Sequence, residues 1–295
     1  MSPDIIPVAA REAQERAAAC IHERRFVDSI AHAETAAALC PDWADPWWNL
    51  TVGYKHARRW ADVLRARDQA IALAPADDAC EGPRWNGGIA ATALGLWRQA
   101  RAAWTSLGID VPAGDGPIDM HLGPTPIRVS PDRAPEVVWC DRIDPCRARI
   151  RSVPLPESDR RYDDLVLHDG EARGRRSLGQ GSVPVFDELD LLQPSSFGTW
   201  EIVVRCSSPG ERDTLVRTLE EAELGVEDWT DSVEMLCQAC SLGEPHEHPG
   251  RSEPGRGWQA ERRLGVAARR PSDLAPLRRA RLWWRQEVLS ARQVL

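Results

Sequence analysis

The chain has 295 residues, of which 42% are hydrophobic and 28% charged, with a net charge of −8. That is long and apolar enough for two cored domains and sets the chain apart from disordered ones. No run of eighteen apolar residues occurs, so no membrane-spanning helix is expected. Residues 1–11 lack the positive lead of a signal peptide, and the expected location is the cytoplasm. The eight cysteines are scattered, with only Cys237 and Cys240 tightly spaced, which does not read as a secreted disulfide framework. Lys55 is the one lysine beside 36 arginines, a bias expected of a GC-rich, bacterial coding sequence. From Arg251 onward eleven arginines face four acidic residues. The rest of the chain is correspondingly acidic, which disfavours nucleic-acid binding by the body and leaves only the tail for it.

From Glu12 to Ile109 the chain is rich in alanine, leucine and arginine, and positions 34 apart align: Phe26 with Trp60, Ala36 with Ala70, Pro41 with Pro75. The period predicts helix-turn-helix units, each ended by a proline. The second unit, with Trp47, Leu50 and Tyr54 on one helix and Val63, Ala70 and Pro75 following, resembles the tetratricopeptide repeat (TPR) family. A first unit at about 11–41 and a third at about 78–109, the latter with a small insertion, place comparable residues alike. Thr51 stands where the family has a glycine. The resemblance implies stacked hairpins whose concave surface takes a peptide. Trp47, Trp60, Trp85, Trp97 and Trp104 are expected in the core, whereas Trp48 and Lys55 fall off the packed stripe and are the candidates for an exposed peptide-binding groove.

Residues 110–135 are crowded with proline and glycine and are read as a linker. Short β-rich runs follow at 137–140, 149–153, 164–168, 182–186 and 200–206, with Asp169-Gly170 read as a tight turn. A helix is expected over 209–223, a strand over 225–229 and a short helix over 231–237. Strands followed by helices predict an α+β domain over 136–250. This part resembles an uncharacterised region that follows TPR units in some bacterial proteins, which implies no activity.

The sharpest local pattern is Cys237-x-x-Cys240 followed by His246-x-His248. Two thiolates at this spacing aim at one point and two histidines follow on a short loop, a donor set suited to tetrahedral zinc. Four ligands would close the site and make it structural; an open position would instead permit chemistry with Glu244 or Glu247 as base. Residues 251–271 read as a flexible, arginine-rich segment. From Ser272 an apolar stripe of Leu277, Ala280, Trp284, Val288, Ala291 and Leu295 predicts a terminal basic helix.

Elsewhere the signals are weak. Cys140 and Cys146 are too far apart for a zinc pair and are expected to be buried thiols. His168 and Asp169 lack a serine elbow, and Gly179-x-Gly181 lacks the lysine of a phosphate loop. The expected fold is multi-domain: all-α TPR-like hairpins, then an α+β domain with a zinc-binding loop. The expected function is a non-enzymatic interaction scaffold with a protein or peptide partner. The alternatives are a metal-dependent enzyme or enzyme subunit, for which a pocket gathering His168, Asp187 and Glu188 would speak, and a nucleic-acid-associated protein acting through its tail.

Overall fold

The computed structural model describes residues 6–75, 79–232, 258–277 and 287–295. Two compact units result, one of residues 1–120 with 144–146 and one of 121–143 with 147–295. Among the described residues, no helix is long and apolar enough to cross a membrane.

The first unit is helical: α1 (Val8–His22), α2 (Phe26–Leu39), α3 (Ala44–His56), α4 (Trp60–Leu73), α5 (Glu81–Ala93) and α6 (Trp97–Ser106). Small residues at helical spacing form the buried stripes, such as Ala10, Ala13, Ala17 and Cys20 on α1 and Ala33, Ala36 and Ala37 on α2. Alanine there favours the helix and lets neighbours approach closely. The period of the sequence returns as a repeated turn. Arg24, Arg58 and Gly95 each adopt a left-handed backbone after a first helix. At each turn the next amide closes onto a carbonyl five residues back: Arg25 N on Cys20 O, Arg59 N on Tyr54 O, Leu96 N on Ala91 O. That closure caps the outgoing helix and reverses the chain. Each helix packs on the next, and in addition α1 packs on α3 and α3 on α5. Among the described residues α2 and α4, and α4 and α6, touch at most marginally. The first helices therefore form an inner layer and the second helices an outer one.

After α6 the chain folds back. Arg101 donates to Pro112 O (2.8 Å) and Gly116 O (2.7 Å), and Ile118 is fully buried. So the first part of the expected linker is pinned to α6, and its later part forms a strand.

In the second unit, β1 (Gly123–Val129), β2 (Glu136–Arg142), β3 (Arg147–Ile150), β4 (Leu165–Leu178) and β5 (Gly181–Gln193) form a closed barrel. Successive strands pair antiparallel, and β1 closes on β5 in parallel at Ile127↔Phe186 and Arg128↔Asp187. Its core is Ile127, Val129, Val138, Cys140, Ala148, Ile150, Val166 and Phe186. The Asp169-Gly170 pair is no turn: β4 runs through it with a shift of register, and the hairpin reverses at Gly179-Gln180. Asp169 is buried and its Oδ1 accepts the Gly170 amide (2.7 Å), a local bond that suits the bulge.

The rest of this unit is a sheet of order β7-β8-β6-β9, made of β6 (Gly198–Arg205), β7 (Gly225–Asp228), β8 (Glu261–Ala268) and β9 (Glu287–Gln293). Helix α7 (Pro209–Glu220) is capped by the Ser208 hydroxyl, which accepts the Glu211 amide. It packs Leu215 and Leu219 against Ile202, Val204, Leu264 and Val266. One turn, α8 (Trp229–Ser232), follows β7. The expected terminal helix is corrected here: 287–293 is an edge strand, with Ile202 opposite Ala291 and Val204 opposite Val288. Val288 faces the core, so pairing with β6 overrides the helical stripe.

The fold class is corrected as well. Among the described residues the chain is an α+β fold with a helical N-terminal region and two β-sheets, and the expected zinc-binding loop forms no part of what is described. Among the described residues no group of three or more His, Cys, Asp or Glu side chains is placed to hold a metal ion. The six described cysteines are buried, where a thiol packs as a small apolar side chain.

Candidate functional site

On the inner layer of helices, α3 carries both groove candidates. Trp48 is 38% exposed, the most exposed tryptophan, tyrosine or phenylalanine among the described residues. Its indole lies on Gly82 of α5, where a Cβ would come within 2.6 Å of Cζ2. A side chain at position 82 would occupy the space that the ring now takes. Thr51, one turn further along, accepts a buried hydrogen bond from Asn86 Nδ2 (2.9 Å) and so ties α3 to α5. Lys55 does not share the exposure of Trp48. It is 5% exposed, so the exposure expected of it from its place off the packed stripe is corrected. Of the five tryptophans expected in the core, Trp104 is fully buried and Trp47, Trp60, Trp85 and Trp97 are half-buried.

Cys237, Cys240, His246 and His248 lie outside the described residues, as do Glu244 and Glu247. The zinc site is thus an expectation from spacing alone.

The barrel holds the densest set of charges. Asp187 takes a two-point contact from Arg128, at 2.7 and 2.8 Å, and Arg173 approaches it at 3.4 Å. Glu188 accepts from Arg160 at 2.6 and 2.8 Å and from the Ser130 amide at 2.9 Å. The Ser130 hydroxyl donates to Ser158 O. Arg128 and Asp187 are opposite each other across the parallel seam, so the ion pair reinforces a join that has only a short ladder.

His168 lies opposite Glu188 on β4 and is fully buried. Its Nδ1 is 2.8 Å from Asp169 O; a carbonyl only accepts, so Nδ1 carries the proton. Nε2 is then an acceptor that no donor reaches among the described residues. The ring stacks on Phe186. Burial, with Arg142 nearby, pushes the imidazole down to about 3, so it is neutral at ordinary pH. The three residues weighed for an enzyme are therefore brought near one another, but each is buried, and both carboxylates are already neutralised by arginines. This arrangement suits holding the barrel closed. Arg128, Arg160 and Arg173 were not legible as its members, because 28 to 59 residues separate Arg128 and Arg160 from their carboxylates.

The described arginines of the tail are engaged too. Arg262 donates to Asp228 (2.6 Å), while Arg263 and Arg292 share Glu201 at 2.7 and 3.2 Å. Arg263 and Arg292 come from the two strands flanking β6, so these charges cross-link the sheet. Comparison with protein-family models, curated proteins and solved structures returned no match.

Proposed function

We propose that the chain is a non-enzymatic interaction protein whose TPR-like helical array offers its inner layer, α1, α3 and α5, to an extended segment of a partner protein or peptide. The observation that carries this reading is Trp48, a partly exposed aromatic side chain on the middle inner helix, seated against a glycine of the next one. An aromatic ring already held on one face loses little freedom when its other face is covered, which is why such residues anchor interfaces. The repeated turn closures at Arg24, Arg58 and Gly95 support the repeat reading. The reading takes the protein to be cytoplasmic, in keeping with cysteines that are scattered along the chain and, among the described residues, buried. The other two readings have less support: the charges for an enzyme site are buried and paired, and Arg262, Arg263 and Arg292 already face carboxylates.

The test is an array of immobilised extended peptides probed with the full chain and with Trp48→Ala. Retention of a peptide subset by the wild type, reduced at least about tenfold by the variant at unchanged helical circular dichroism, is expected. No retained peptides, or the same subset at the same strength for Trp48→Ala, would sink the proposal.

A further inference from the structure

Beyond the barrel, β4 and β5 continue as a ribbon of two strands. The neighbouring strands stop at its root: β3 pairs with β4 at residues 165–167, and β1 meets β5 at Phe186 and Asp187. From Gly174 to Val185 the two strands pair only with each other among the described residues, with Arg175 opposite Pro184, Arg176 opposite Val183 and Leu178 opposite Gly181. Gly179 turns the chain in a left-handed conformation, and residues 177–182 are all exposed. A two-stranded hairpin standing alone is marginally stable. This one is braced at its root, where Arg173 approaches the buried Asp187 at 3.4 Å. It is braced again across the strands, where Arg175 donates to Ser182 Oγ and to Ser182 O, each at 2.8 Å.

The ribbon differs in charge from the rest of the molecule. Residues 172–186 hold three arginines and no acidic residue, in a chain of net charge −8. Arg173 is matched at the root by Glu171 (3.0 Å) and Asp187. Arg175 reaches only the neutral oxygens of Ser182, and neither it nor Arg176 makes an ion pair among the described residues. Neighbours on a strand point to opposite faces, so these two guanidinium groups put positive charge on both sides of the ribbon. That suits a groove walled on each side by anions. The ribbon's only aromatic residue is the buried Phe186, so it offers no platform on which single-stranded bases would stack. The major groove of B-form DNA, about 12 Å wide, admits a two-stranded ribbon, whereas that of A-form RNA is too deep and narrow. Leu178, 41% exposed near the tip, gives the ribbon an apolar contact for thymine methyl groups.

We propose that the β4–β5 ribbon is a DNA-binding arm, which enters the major groove of a duplex with Arg175 and Arg176 against the phosphates of its two walls. The arm is separate from the peptide surface on α1, α3 and α5 and does not involve the arginine-rich tail. Its length reconciles DNA binding with an acidic chain. Five steps of about 3.4 Å carry Leu178 roughly 17 Å beyond Arg173, further than the Debye length of about 8 Å at physiological salt. The phosphates therefore meet the arm while the acidic residues of the body are screened. Contacts of this kind hold the backbone and groove, so affinity depends on salt far more than on base sequence.

Fluorescence anisotropy of a labelled DNA duplex, titrated with the full chain over a series of salt concentrations, tests this. Duplex binding whose logarithm falls linearly with the logarithm of salt concentration is expected. Arg175→Ser with Arg176→Ser is expected to lose at least about tenfold in affinity at low salt and to make the salt slope shallower by about 2. Arg176→Glu, which leaves the Arg175 brace on Ser182 in place, is expected to weaken binding likewise at unchanged circular dichroism. No binding by the wild type, or wild-type affinity in Arg176→Glu, would overturn the proposal. Tighter binding of a single strand or of an RNA duplex would also overturn it. So would displacement of the duplex by poly-glutamate as readily as by unlabelled DNA, which would point to an acidic protein surface instead.

Discussion

Gly265 of β8 lies directly beneath the indole of Trp229: a Cβ at this position would come within 2.3 Å of Cε2. Gly265 also pairs with Glu201 of β6 on one side and Glu227 of β7 on the other, so its backbone has no room to retreat. Gly265→Ala is expected to destabilise the second unit by about 1–3 kcal/mol through overpacking. Urea unfolding followed by tryptophan fluorescence measures it. Combining the change with Trp229→Leu is expected to cost less than the sum of the two singles; a neutral Gly265→Ala would show that the indole is free to move.

The Arg128–Asp187 contact gives a prediction of the opposite kind. Asp187→Ala leaves a buried guanidinium with only part of its compensation and is expected to cost about 3–5 kcal/mol. Replacing both partners, as Arg128→Met with Asp187→Leu, is expected to be milder than either single change, because it removes the charge along with its partner. Equal or greater loss in the double variant would mean that the pair does more than neutralise itself across the β1–β5 seam.

His168 predicts the acid limb of the stability profile. Its folded value is about 3 against 6.5 for a free imidazole. The stability it contributes is thus full above about 6.5 and is lost as the pH falls toward 3. His168→Phe, which keeps a flat ring against Phe186 and removes the bare Nε2, is expected to lessen the drop in Tm between pH 7 and pH 4.5. Thermal melts at those two pH values decide it; parallel curves for variant and wild type would place the acid sensitivity elsewhere.

How much of this was readable beforehand differs by element. The 34-residue period was legible because each unit repeats the same local closure, in which a left-handed residue follows a helix and one amide turns back on it. Four of the five barrel strands were legible as short runs but not in extent, and β1 fell inside the expected linker; β4 and β5 reach 14 and 13 residues because each supports the other across a long hairpin. The pairing of the carboxylates at 187 and 188 was not legible, since nothing nearby in sequence announces the arginines that hold them. The tail was misread for a related reason. Residues 287–293 have good helix formers at helical spacing, and only the backbone of β6, some 90 residues earlier, turns them into a strand. Lys55 shows the limit of reasoning from one helix, because what covers a side chain belongs to its neighbours.

The order β7-β8-β6-β9 puts the earliest strand of that sheet at its interior and the latest at its edge. During synthesis, β6 emerges with both of its edges bare and waits for more than fifty residues before β8 arrives, and longer for β9. Thr199 is last to be settled, since its amide and carbonyl bond to Leu295 and Val294. The helical unit, built from contacts between neighbours in sequence, can take shape early on the ribosome. The second unit becomes whole only once β9 has emerged, and a nascent-chain chaperone would find its substrate in the exposed flanks of β6.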